Sequence, residues 1–166
     1  LPAPAGAGVE HVETAAEMEA AMRRHAEADV IIMAAAVADF RPTSAAAGKL
    51  KKVDGPPEIV LEPTPDILAG LGRTKRPGQL LVGFAAETDD LVAHAGAKLA
   101  AKNLDLIVAN DVSAPGVGFG HDTNAVVLLR AGADPVTIDL RDKREIADAV
   151  LDVVVELRST QPRHSA

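Results

Sequence analysis

Gln79-Leu80-Leu81-Val82-Gly83-Phe84 and Leu104-Asp105-Leu106-Ile107-Val108-Ala109 bracket the segment that decides the fold. Both are short, nearly continuous apolar runs, the pattern of strands buried within a sheet. Between them Leu91, Ala95 and Leu99 recur every fourth residue and so share one face of a helix. Thr88 or Asp89 suits the start of that helix, and Asn103 suits its end. Strand, helix, strand in this order is a crossover unit, which makes its two strands parallel.

The alternation continues outward. Upstream, Thr14 and Glu17 form a capping box for a helix over 14–28, with Met18 and Met22 on its core face. Residues 29–35 predict a strand buried on both sides, ending in 36–42, where Pro42 disfavours further regular structure. A loop over 43–57 follows, then a strand at 59–61. Thr64 suits an N-cap, with Pro65 at the first position of a helix reaching residue 71. Downstream, 110–124 reads as a loop containing Gly116, Gly118 and Gly120. Residues 125–129 and 136–140 flank a turn-forming 130–135, a hairpin signal. A last helix over 142–158 turns Ile146, Val150, Val153 and Leu157 inward, and 159–166 is a frayed tail. The expectation is one α/β domain over 1–158. It is a Rossmann-like three-layer sheet, mostly parallel, with an antiparallel hairpin at one edge.

Composition narrows the function. Seventeen basic residues against 24 acidic ones leave a net charge of −7, and the 166 residues include no Cys, Trp or Tyr and only three Phe. An acidic chain almost without rings is a poor nucleic-acid binder. Zero cysteine excludes disulfides, Cys-ligated zinc and thiol nucleophiles. No apolar run approaches the roughly 20 residues of a membrane span, and the first nine residues lack the basic start of a signal peptide. All this suits a cytoplasmic protein.

Ligands of open α/β sheets bind outside the carboxyl ends of the strands. Asp39 falls there, as a holder of a divalent cation or ligand hydroxyl or as a turn aspartate. Lys49, Lys51 and Lys52 cluster in the 43–57 loop, either to fold over a polyphosphate or to keep the loop soluble. His94, Lys98 and Lys102 line one helical stripe, either reaching for phosphates or forming a solvated face favoured by the helix dipole. The glycine fingerprints of mononucleotide and dinucleotide sites are absent, as are metal-ligand histidine spacings and a serine elbow.

Six stretches together resemble bacterial phosphopantothenoylcysteine synthetase, the CTP-using ligase family of coenzyme A synthesis. They are Ala34-Ala35-Ala36-Val37-Ala38-Asp39-Phe40-Arg41-Pro42, Gly48-Lys49-Leu50-Lys51-Lys52, Thr64-Pro65-Asp66-Ile67-Leu68, Val82-Gly83-Phe84-Ala85-Ala86-Glu87-Thr88, Lys102-Asn103-Leu104-Asp105-Leu106-Ile107 and Ala109-Asn110-Asp111-Val112-Ser113. They stand in the family's order and spacing, over about residues 8–158. The resemblance implies that Asp39 contacts CTP near its metal-bound phosphates or its sugar. Lys49 matches the catalytic loop lysine. Pro65, Asp66, Ile67 and Leu68 match a nucleotide-contacting turn, Phe84 packs on the nucleotide, and Lys98 and Lys102 match CTP-contacting lysines. It also implies Mg2+ with the nucleotide, phosphopantothenate and cysteine as co-substrates, and a homodimer. A flavin-dependent decarboxylase, the FMN-binding partner, is often fused upstream. The family's first strand, glycine-rich loop and asparagine-bearing segment have no counterpart here, so the chain is expected to be the C-terminal portion of the synthetase. Two other classes share the bare α/β pattern, a Rossmann-type NAD(P)-binding oxidoreductase domain and a non-catalytic dimerisation segment.

Overall fold

The computed structural model describes residues 5–44, 58–113, 117 and 120–160. Along the chain its elements are α1 (Ala15–Arg24), β1 (Val30–Met33), β2 (Phe40–Pro42), β3 (Leu61–Pro63), α2 (Ile67–Arg73), β4 (Leu80–Glu87), α3 (Leu91–Ala101), β5 (Leu106–Asp111), β6 (Thr123–Leu129), β7 (Val136–Asp142) and α4 (Lys143–Thr160). They fall into two compact units. The first draws on residues up to Arg24 and on Ala36–Ile67, the second on His25–Ala35 and on the chain from Leu68 onward.

The second unit is built on a five-stranded sheet of order β1-β4-β5-β6-β7. Pairings β1–β4 and β4–β5 are parallel, whereas β5–β6 and β6–β7 are antiparallel. The sheet is therefore mixed, which corrects the expectation of a mostly parallel one. The reason is the length of the connection: only 11 residues separate Asp111 from Thr123, fewer than the dozen or more that a crossover between parallel strands needs. Without such a crossover β6 can only return alongside β5 in the opposite sense. β6 and β7 then form the expected hairpin, turned at 130–135 with Gly132 at φ 74°.

Alternation along the strands sends side chains to two faces. Leu80, Val82, Leu106, Val108, Val126, Leu128 and Ile138 meet Ile146, Val150 and Val154 of α4 on one face. The other face takes α3, through the buried Ala95 and Leu99, and α2. A Cβ placed on Gly83 would come within 2.8 Å of both Leu68 Cδ2 and Leu104 Cδ1, so glycine there lets α2 settle on the strand. Leu80, Leu81, Val82, Leu106, Ile107 and Val108 are almost wholly buried, each worth about 2 kcal/mol of hydrophobic stabilisation. β1 departs from its expectation. It lies at the sheet edge, and Ile32 is 39% exposed, because an edge strand is covered less completely than a central one.

The junction from α3 to β5 follows from local chemistry. Asn103 adopts the left-handed region at φ 53°, its N–H reaching Ala100 O and that of Leu104 reaching Leu99 O. That pair of bonds is the glycine-type helix stop, with asparagine in the glycine's place. Asn103 Nδ2 also donates to Gly72 O at 2.9 Å. Asp105 accepts from Lys75 Nζ at 3.0 Å on each oxygen and from Leu81 N–H at 2.7 Å. The start of α3 differs from expectation. Neither Thr88 nor Asp89 caps it; the N-cap is Asp90, at φ 41° and without a side-chain cap bond.

In the first unit the capping box forms as read. Glu17 N–H donates to Thr14 Oγ1 at 3.2 Å, and Thr14 N–H to Glu17 Oε2 at 2.9 Å. Met18 and Met22 are half-buried rather than core, and the buried residue of α1 is Ala21. β2 and β3 pair antiparallel, Phe40 opposite Pro63 and Pro42 opposite Leu61. Thr64 does not cap α2 with its hydroxyl, which donates instead to Ala38 O, and the helix begins at Ile67 rather than at Pro65. The hydroxyl proton thus goes to the chain entering β2, which ties Thr64 to that strand rather than to the helix.

Candidate functional site

In the first unit the structure brings Asp39 and the 64–66 turn together. Thr64 N–H donates to Asp39 O at 2.8 Å, and its hydroxyl to Ala38 O. Two adjacent carbonyls are thus tied to one threonine, which fixes where Asp39 and Pro65 leave the ribbon of β2 and β3. Asp39, Pro65 and Asp66 are exposed, as a ligand contact requires, while Ile67 is buried. Lys49, together with Lys51 and Lys52, lies outside the described residues.

In the second unit Lys98 stands on α3 and meets a carboxylate. Its Nζ lies 2.7 Å from Glu87 Oε1 at the end of β4, and His94 Nδ1 lies 3.7 Å from Glu87 Oε2. Two members of the basic stripe thus converge on one acid. Lys102 ends the stripe at the helix C-cap, its N–H donating to Lys98 O at 3.0 Å. Leu68, also named in the turn motif, is buried against the sheet beneath Gly83. Phe84 is 40% exposed and has the strand parity of Leu80 and Val82, on the face that carries α4. Lys98 belongs to the opposite face, so within this unit the two residues are not brought onto one face. Of the three rings, Phe40 is exposed like Phe84, and Phe119 lies outside the described residues.

Glu87 has no role in the sequence reading beyond membership of the 82–88 motif. Its signal is position, the last residue of a strand whose preceding residues are apolar, eleven residues before a lysine on the next helix. Among the described residues no group of three or more His, Cys, Asp or Glu is arranged to hold a metal ion. No helix among them is long and apolar enough to cross a membrane.

Comparison with known proteins concerns the chain as a whole. The family described as DNA/pantothenate metabolism flavoprotein C-terminal domain matches residues 1–157. The chain is 45% identical over 147 residues to the coenzyme A biosynthesis bifunctional protein CoaBC of Bacillus subtilis, covering 88% of this chain and 36% of that protein. It is 43% identical over 163 residues to the CoaBC of Mycobacterium tuberculosis, covering 92% and 39%. It is also 44% identical over 147 residues to a protein named cysteine/cysteine sulfinic acid decarboxylase from an unknown prokaryotic organism, covering 88% and 41%. The chain thus spans about two fifths of the length of these relatives. Among solved structures, the crystal structure of the C-terminal domain of CoaBC superposes with a TM-score of 0.75 at 35% identity, covering 93% of this chain and 67% of that one. The DNA/pantothenate metabolism flavoprotein of Streptococcus pneumoniae has a TM-score of 0.70 at 22% identity, covering 90% and 71%, a likeness of fold alone.

Proposed function

The chain belongs to the family of the DNA/pantothenate metabolism flavoprotein C-terminal domain, and from that premise we propose that it serves a CTP-dependent ligase joining 4'-phosphopantothenate to cysteine. The observation that carries this reading is the 35% identity and 0.75 TM-score with the C-terminal domain of CoaBC. The six motifs point to the same family.

A carboxylate is a poor electrophile at neutral pH. In the proposed reaction the phosphopantothenate carboxylate attacks the α-phosphorus of CTP, expelling pyrophosphate and forming an acyl-cytidylate. The cysteine amine then attacks that acyl carbon, and CMP leaves. Asp39, Pro65, Asp66, Ile67, Leu68, Phe84, Lys98 and Lys102 are the proposed nucleotide contacts, and Lys49 the catalytic lysine. Cations placed where phosphate charge develops lower the barrier most when they are held in advance, and Lys98 is so held by Glu87.

Magnesium fits this reading only as an ion carried by the nucleotide. One exposed carboxylate, Asp39, matches the habit of Mg2+ of taking one or two carboxylates beside substrate phosphates, and no protein cage among the described residues offers more. When bound it neutralises phosphate charge. Asp39 supplies an oxygen ligand, while Lys98 and Lys102 supply positive charge. Assembly as a homodimer and association with a fused flavin-dependent decarboxylase belong to the same proposal.

Calorimetric titration is the direct test. CTP with Mg2+ should bind this chain, with ATP much weaker. In a full-length version assayed with phosphopantothenate, cysteine and CTP, Lys49→Gln should sharply lower pyrophosphate release without shifting the unfolding transition. Unchanged turnover would remove Lys49 from the chemistry. NADPH binding without a CTP response would favour the oxidoreductase reading instead.

A further inference from the structure

At the carboxyl end of β4 the acid is withdrawn and its basic partners are presented. The Glu87 side chain is 12% exposed, whereas those of Lys98 and His94 are 48% and 49% exposed. An ordinary surface pair holds two solvated chains that gain little from each other. Here one oxygen of a largely desolvated carboxylate accepts from Lys98 Nζ at 2.7 Å, and the other faces His94 Nδ1 at 3.7 Å. The backbone under Glu87 is fixed as well. Its carbonyl accepts Val112 N–H at 3.1 Å, and its Cα stands in register with Asp111 on β5. The ammonium at the end of a four-carbon stem is therefore tied to a rigid strand end. One of its three N–H groups goes to Glu87, which leaves two for an incoming anion.

We propose that Glu87 is a positioning residue, holding the Lys98 ammonium where it meets the phosphates of the nucleotide. This rests on the reading of Lys98 as a nucleotide contact. A lysine already held loses less freedom on binding than one that must be gathered from solution. A carboxylate that accepts from that lysine also fixes the direction of its remaining donors.

The test is a double-mutant cycle on CTP–Mg2+ affinity, measured by titration calorimetry on this chain. Lys98→Gln alone should weaken binding about tenfold, and Glu87→Gln alone about fivefold. The double variant should bind no more weakly than Lys98→Gln, because Glu87 acts only through Lys98. Multiplied penalties in the double variant would give Glu87 a structural role instead. Unchanged or tighter binding by Glu87→Gln would also overturn the proposal, the latter making Glu87 a competitor for Lys98. In both cases a weakened Lys98→Gln leaves the nucleotide reading standing. If Lys98→Gln binds as the parent does, that reading of Lys98 fails and takes the role of Glu87 with it. Should Glu87→Gln not fold, Glu87→Asp decides in the same cycle. It retains the charge but draws it back by one methylene, and should fall between the parent and Lys98→Gln.

Discussion

Asp105 shows how one carboxylate can serve two elements. It accepts both contacts of Lys75 and the N–H of Leu81, so it ties the start of β5 to the chain after α2 and to β4. Lys75 and Asp105 are 14% and 21% exposed, a partly buried pair. Removing one partner of such a pair leaves the other charge and a backbone donor unmatched. Asp105→Ala should cost about 3 kcal/mol of stability, read from urea unfolding. Asp105→Asn keeps an acceptor for Leu81 N–H and should cost about half as much. Equal losses would show that the charge, not the acceptor, is what matters. Gly72 makes a sharper demand nearby. A Cβ there would stand 1.9 Å from Lys102 O, a backbone atom that cannot turn aside. Gly72→Ala should therefore destabilise by about 3 kcal/mol or more, whereas Gly83→Ala, which meets only the ends of two leucine side chains, should cost less.

Among the elements, α1 owes its start to reciprocal bonds, and these have a pH dependence. Donation from the N–H groups of Glu13 and Thr14, and then from the Thr14 hydroxyl, holds the Glu17 carboxyl below the ordinary glutamate range. A carboxyl lowered on folding stabilises the fold above the ordinary glutamate value, and that contribution is lost as the pH falls through the lowered one. The stability difference between the parent and Glu17→Gln should therefore be constant near neutrality and shrink through the acid range. A difference that persists at the acid end would mean the bonds to Glu17 do not depend on its charge. The capping box was legible because its partners are three residues apart, and the stop at Asn103 because helix geometry alone sets it. The direction of β6 was not. An apolar run such as Val126-Val127-Leu128-Leu129 reads the same in either sense, and only its pairing with β5 decides. Thr64 misled for a related reason. Its hydroxyl serves Ala38, which is distant in sequence, and the helix it precedes starts without it. Of the site, the basic stripe on α3 was visible from its spacing, but its acid was not, because Glu87 sits on the preceding strand.

On the scale of the whole molecule, a net charge of −7 would repel a nucleotide at long range. Screening limits that repulsion to about 8 Å at physiological salt, so on the proposed reading Lys98, held at the end of β4, decides the encounter. If CTP–Mg2+ binds the folded chain and not the unfolded one, a hundredfold excess over the dissociation constant adds about 2.7 kcal/mol. For a chain of this size that should raise the thermal transition by about 5–10 °C. ATP–Mg2+ at the same concentration should give a much smaller rise, and Lys98→Gln should cut the CTP effect. Moderate salt should weaken the shift, because close contacts with phosphate are being screened; a shift that grows with salt would mean the global charge outweighs the local lysines. Equal protection by CTP and ATP would place recognition on the triphosphate alone and overturn the preference for the cytidine nucleotide.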